Sequence, residues 1–281
     1  MIRRPPRSTL DRSSAASDVY KRQAFESTIV EEGNWKLRPG MPEQWHIQYR
    51  HEAMSLRLRL GLTAFKHVGV FPEQADNWNF IYDTLMQWPE GPQPQVLNLF
   101  AYTCGIGVVA ASAGAEYVVN VDFAESNIGI GKENARLNEL PIRMRFVQSD
   151  AFAAMRQLAG IGQPKMVRGK HMPVFPKLEK RAFDLVFLDP PRYAKSPFGV
   201  VDIINDYAAL MKLALLCTVE GGTLICCNNA VQISREFWAD QLQRCATKAG
   251  RTIRELEWIT PEEDFPSHDG QPPLKIALLR V

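Results

Sequence analysis

The hydrophobic pattern changes character along the chain. Before position 61 the signal is alternation: 45–49 alternates, and Met54-Ser55-Leu56-Arg57-Leu58-Arg59-Leu60 puts every apolar residue on one side. A period of two predicts half-buried strands with one wet face, here a small β appendage. Arg57 and Arg59 fall on that face, where the ordinary reading of charge is solvated surface. Beyond position 95 the apolar runs become continuous, as strands buried on both faces require. They fall at 96–100, 117–121, 143–147, 183–188, 222–227, 252–258 and 274–280. Helical segments are predicted between them, over 76–88, 108–114, 124–140, 151–159 and 200–219, and from a Ser234 cap to about 249. Strands alternating with helices predict an α/β fold with a parallel sheet.

The first continuous run, Val96-Leu97-Asn98-Leu99-Phe100, turns through small and polar residues into Gly105-Ile106-Gly107. Glycines at a strand-to-helix turn let backbone pass close to a ligand, and the helix N-terminus favours polar or anionic groups. Three later runs each lead to an acid: Asp122, Asp150 and Asp189. Acids at successive strand ends meet along one edge of a parallel sheet, the edge where such sheets bind ligands. Gly105 to Ala110 also fits G-x-G-x-x-A, with Asp122 near the spacing of a ribose-binding acid. An NAD(P)-dependent oxidoreductase is therefore the competing reading. Against it, the turn from Phe100 to Gly105 is long for that fingerprint, and Asp189-Pro190-Pro191 with Tyr193 beyond has no role in hydride transfer. At a strand end, two prolines hold a rigid backbone without donors, leaving carbonyls and the Asp side chain to accept from a base edge. Tyr193 is placed to stack on an extruded base. A binding module that has lost catalysis is disfavoured by the three intact acids.

Composition narrows the partners. Net charge is only +2, so a nucleic-acid surface has to be a local patch. The best candidate is the basic, proline-stiffened segment 160–181, with Lys165, Arg168 and Lys170 as predicted phosphate contacts. No apolar run approaches a membrane span. The five cysteines are odd in number and lack C-x-x-C spacing, which points to a reducing cytoplasm and away from a structural metal site. Residues 1–23, rich in Arg, Ser and Pro, read as a disordered tail. Their sequence resembles the translation of a sequencing-adapter read-through, in which case an upstream domain could be missing. The expected organisation is that tail, a β appendage with a loop over 24–75, and a catalytic domain over 76–281.

Four segments carry a family resemblance: Phe65-Lys66-His67-Val68-Gly69-Val70-Phe71-Pro72-Glu73-Gln74, Leu97-Asn98-Leu99-Phe100-Ala101-Tyr102-Thr103, Lys132-Glu133-Asn134-Ala135-Arg136-Leu137-Asn138 and Leu188-Asp189-Pro190-Pro191. In this order they resemble class I S-adenosylmethionine-dependent methyltransferases related to the 23S ribosomal RNA cytosine-5 and guanine-N7 enzymes. The resemblance implies a Rossmann-like sheet of seven strands, helices on both faces and an antiparallel last strand. It implies S-adenosyl-L-methionine as cofactor and RNA as partner. Cofactor contacts are then expected from Asn98, Ala101, Tyr102, Thr103, Gly105, Gly107, Asp122, Phe123, Asp150 and Ala151, with Phe71 and Gln74 closing over them. Asp189, Pro190, Pro191, Tyr193 and Asn229 would form the acceptor site. Two departures stand out: Cys104 replaces the usual Gly, and the RNA-binding domain of the cytosine-5 members is absent from this sequence.

The acceptor atom follows from a missing thiol. Cytosine carbon-5 becomes nucleophilic only after a thiolate adds to the ring. By the same resemblance the relatives' cysteine position is Asn229 here, and Cys226 and Cys227 fall too early. Guanine N7 or an exocyclic amine, which need positioning rather than covalent activation, are the expected acceptors.

Overall fold

A computed structural model describes residues 24–27, 33–36, 39–62, 67–140, 144–163, 166–167, 170–196, 199–260 and 274–281. The tail 1–23 and the basic positions Lys165 and Arg168 lie outside these residues. Two short strands, β1 (Ala24–Ser27) and β2 (Gly33–Lys36), pair antiparallel. A longer ribbon follows, β3 (Gln44–His51) with β4 (Met54–Gly61). Its alternation is the one the sequence predicts: Met54, Leu56, Leu58 and Leu60 are buried while Ser55 and Arg57 are exposed. A single 3-10 turn at Pro72–Gln74 leads into helix α1 (Ala75–Met86).

The sheet domain proceeds through β5 (Gln95–Leu99), α2 (Gly105–Ser112), β6 (Tyr117–Asp122), α3 (Glu125–Leu137), β7 (Met144–Gln148) and α4 (Ala151–Leu158). Two-residue strands β8 (Met166–Val167) and β9 (Lys170–His171) pair in the basic segment. Then come β10 (Phe183–Leu188), a hairpin of β11 (Tyr193–Ser196) and β12 (Gly199–Asp202), α5 (Ile203–Cys217), β13 (Thr218–Asn228), α6 (Arg235–Lys248), β14 (Glu255–Ile259) and β15 (Lys275–Arg280). The Ser234 cap is realised: its side chain accepts from the Phe237 amide at 3.2 Å. The hairpin was not legible in the sequence, where Val200 reads as helix; α5 instead starts at Ile203, capped by Asp202.

Seven strands form one sheet in the order β14-β15-β13-β10-β5-β6-β7, parallel except that β15 runs antiparallel to β13 and β14. The fold class expected from the sequence is therefore the observed one. Strand order reverses between β5 and β10, so the crevice for a ligand opens above their C-terminal ends. One face buries Leu97, Leu99, Val186 and Leu188 under α4, α5 and α6. The other buries Val96, Leu185 and Phe187 under α1 and α2, and this core continues without a break into the ribbon through Tyr49, Leu56 and Leu58. Alternating burial on the ribbon thus docks it on α1, with the Tyr49 and Trp78 rings 5.0 Å apart.

Candidate active site

The turn after β5 departs from ordinary backbone geometry three times in five residues. Phe100, Tyr102 and Cys104 have φ of 56°, 48° and 62°, the left-handed region that side chains disfavour by roughly 1–2 kcal/mol each. Such strain persists only where the surroundings enforce it. Asp122 does much of the enforcing: its carboxylate accepts from the Tyr102 amide (2.8 Å), the Ala124 amide (2.9 Å) and Asn127 Nδ2 (3.0 Å). Burial raises the Asp122 pKa, and these three donors oppose the rise. A carboxylate offers about four acceptor positions, so one is left for a ligand hydroxyl.

The glycines serve packing as much as ligand approach. A Cβ on Gly107 would stand 2.0 Å from Asn120 Oδ1, and one on Gly105 2.7 Å from the Trp78 ring. Beneath the turn, buried Asn98 donates to Asn120 Oδ1 at 3.0 Å. Through this bond Asn98, expected at the cofactor, also supports the turn from beneath. Gly131 in α3 has a similar explanation: a Cβ there would fall 2.3 Å from Cys104 Sγ. The departure at Cys104 is accommodated by this missing side chain two elements away.

The loop 67–74 packs onto the turn. Thr103 Oγ1 donates to the Gly69 carbonyl at 2.6 Å, and the Phe71 and Tyr102 rings lie 5.2 Å apart. Gln74 Nε2 donates to Asp189 Oδ2 at 2.7 Å, and Asn77 Nδ2 donates to Gln74 Oε1 at 2.5 Å. This amide chain joins the loop to the strand end that carries the two prolines. Burial, with the Glu73 charge next, lifts the Asp189 pKa to about 7, against a lowering contact from the Cys227 thiol. Pro190 is buried, Pro191 is exposed, and Tyr193 is 63 % exposed on its hairpin.

One further acid completes the edge. Asp150 caps α4, accepting from the Ala153 amide at 3.1 Å, with Ala151 buried beside it. Phe123, just past Asp122, is 57 % exposed, an apolar platform at the crevice rim. At the end of β13, Asn228 is buried and its Oδ1 accepts from the Ala230 amide at 2.9 Å, while Asn229 is exposed. Lys275 Nζ donates to the Ala230 carbonyl at 2.9 Å, and burial lowers its pKa. Sequence reading missed Asn77, Asn120 and Lys275. Asn120 had a signal, a lone amide inside an apolar run; Asn77 and Lys275 had none, since only tertiary contacts give them partners. Of the predicted RNA contacts, Lys170 is placed by its backbone in β9.

This donor set fits an adenosyl cofactor: an acid with spare acceptor capacity at the end of β6, an exposed aromatic beside it, and a helix-capping acid after β7. A family profile described as S-adenosylmethionine-dependent methyltransferase matches residues 40–280. A protein of Aeromonas salmonicida named "Ribosomal RNA large subunit methyltransferase I" is 28% identical over 179 residues, covering 63% of this chain and 41% of that protein. One of Tolumonas auensis with the same name is 30% identical over 173 residues, 61% of this chain and 39% of the relative. The chain thus spans less than half the length of these relatives. Two solved structures share the fold. SMU.776, a putative methyltransferase complexed with SAH, has a TM-score of 0.70 at 21% identity, covering 89% of this chain and 59% of that one. A SAM-dependent methyltransferase from Agrobacterium tumefaciens has a TM-score of 0.69 at 22% identity, covering 94% and 78%.

Proposed function

The chain belongs to the S-adenosylmethionine-dependent methyltransferase family, and from that premise we propose that it methylates a base in RNA, 23S ribosomal RNA in particular, at guanine N7 or an exocyclic amine. This displaces the oxidoreductase reading of the glycine turn. One observation carries the choice of acceptor: all five cysteines are buried, and the exposed residue at the end of β13 is Asn229. Burial pushes the Cys226 thiol up to about 12 and the Cys227 thiol well above its ordinary value, so neither supplies a thiolate at neutral pH. Names of relatives support the RNA substrate, and reduced thiols fit the cytoplasm.

When bound, S-adenosylmethionine supplies an electrophilic methyl group. The residues of the chain hold the two reactants in line. Asp122 accepts from the ribose, Asp150 reaches toward the adenine amine, and Phe123 covers the ring. Tyr102, Thr103, Gly105 and Phe71 enclose the methionine end together with Ala101. Asp189, fixed by Gln74, accepts from the base edge, with the Pro190 carbonyl beside it and Tyr193 stacking on the far side. Asn229 borders the base from the β13 exit. Lys165, Arg168 and Lys170 remain the proposed phosphate contacts of the basic segment.

Calorimetry with S-adenosylhomocysteine and NADH side by side tests the premise about the cofactor; heat with the former alone is expected. Asp122→Ala should weaken S-adenosylhomocysteine binding by about 1.5–3 kcal/mol, the range for losing a charged acceptor. Unaltered affinity would reassign Asp122 to turn support alone. For the acceptor atom, Cys226→Ala and Cys227→Ala should each keep most of the tritiated-methyl incorporation into ribosomal RNA. A dead variant, or 5-methylcytidine in the nucleoside digest, would overturn the reading.

A further inference from the structure

The outer face of the β3–β4 ribbon carries three arginines, Arg50, Arg57 and Arg59, among polar side chains. His46 lies opposite Arg59, Gln48 opposite Arg57, and Arg50 opposite Ser55. Neither strand contains an acid. Arg59 is neutralised by Glu133 of α3 at 3.2 Å. Arg50 and Arg57 are exposed, and among the described residues neither has an ion-pair partner. The Arg50 guanidinium donates to Gln48 Oε1 at 2.8 Å, and that of Arg57 lies 3.5 Å from His46 Nδ1. No large apolar side chain of the ribbon is exposed, which does not suit the apolar centre of a protein–protein interface. Arginine forks, by contrast, match phosphate oxygens.

The face is also held in fixed register with the crevice. Two asparagines one helical turn apart on α3 and its C-cap satisfy the open edge of β4. Asn138 accepts from the Arg57 amide (2.7 Å) and donates to the Arg57 carbonyl (2.8 Å). Asn134 accepts from the Arg59 amide (2.8 Å) and donates to the Thr103 carbonyl of the turn (3.1 Å). Eight-residue strands reach about 25 Å. One end of the ribbon adjoins Val68, where the Gly61 amide bonds its carbonyl at 2.8 Å. Along the ribbon toward the other end, a groove of about 460 Å³ is lined by Gln48, Ser55, Arg57, Tyr82, Asn138 and Glu139. That volume suits a nucleotide-sized ligand.

We propose that this ribbon face and its groove bind the phosphate backbone of RNA flanking the target nucleotide, a remote anchor for the strand whose base enters at Asp189. The proposal rests on the RNA reading above. Binding energy collected so far from the reacting atoms orients the substrate without touching the chemistry.

The test is an R50Q/R57Q variant, which keeps polar, hydrogen-bonding side chains at both positions but removes both charges. Affinity for fluorescein-labelled oligouridine is measured across a salt series in saturating S-adenosylhomocysteine. The slope of log K against log salt should flatten by about 0.7 for each phosphate of the single strand that is no longer neutralised. S-adenosylhomocysteine affinity and the melting temperature should match wild type, which shows the fold is intact. A variant with the wild-type slope overturns the anchor. Polyglutamate competing as well as RNA for the wild-type protein overturns it too, in favour of an acidic protein partner. Wild-type protein that binds no RNA at all would instead defeat the RNA reading itself, so the two failures are distinguishable.

Discussion

Asp189→Ala is expected to lower kcat/KM for RNA methylation by at least about 10²-fold, the cost of a reacting group misplaced by roughly 1 Å. Cofactor affinity should stay near wild type, because Asp189 bonds Gln74 rather than the turn after β5. The carboxylate ends a buried strand, and its pKa is raised to about 7 by burial and by Glu73. A base amine donates to the ionised form, so wild-type kcat/KM should rise with pH through about 7 and then level. Asp189→Asn should be slow and flat over the same range. Stability should move the opposite way. A carboxyl whose folded pKa lies above its unfolded value stabilises the fold below the unfolded value, and that contribution is lost as pH rises through the folded one. Asp189→Asn should therefore melt higher than wild type at pH 8, with the gap narrowing as pH falls and closing near the unfolded value of about 4. Full activity in Asp189→Asn would remove Asp189 from the acceptor site.

Gly107→Ala tests the turn itself. The added Cβ would sit 2.0 Å from Asn120 Oδ1, in an interior without room to yield. Relief requires Asn120 to move, which breaks its 3.0 Å bond to Asn98 and leaves buried amides unpaired. Overpacking and an orphaned polar group each cost about 1–3 kcal/mol, so a loss of roughly 2–4 kcal/mol is expected by urea unfolding. Adding Asn120→Ala restores space, and the pair should cost clearly less than the two single changes combined. Strictly additive losses would show that Gly107 does not bear on Asn120. By contrast, Gly129 has open space around it, and nothing in the structure explains that glycine.

The legible parts of this protein were those encoded by neighbours in sequence. Continuous apolar runs marked the buried strands, and alternation marked the ribbon, because side-chain period follows directly from backbone geometry. Acids directly after those runs marked the crevice edge, because parallel strands bring all their C-terminal ends to one side. What escaped the sequence depends on separations no local pattern records. Gln74 meets Asp189 across 115 positions, and Asn138 meets Arg57 across 81. The β11–β12 hairpin likewise left no apolar period to read, since Tyr193 is exposed.

The sequence alone determined the α/β alternation, the positions of Asp122, Asp150 and Asp189, and the want of a cysteine at position 229. Each of these is a property of residue order. Tertiary structure alone decided that Asn98 supports the turn, that Gly131 makes room for Cys104, that burial lifts the Asp189 pKa, and that among the described residues Arg59 is ion-paired while Arg50 and Arg57 are not. Those outcomes depend on which groups lose water together and which partners they meet when they do, and burial assigns both only after the chain has folded.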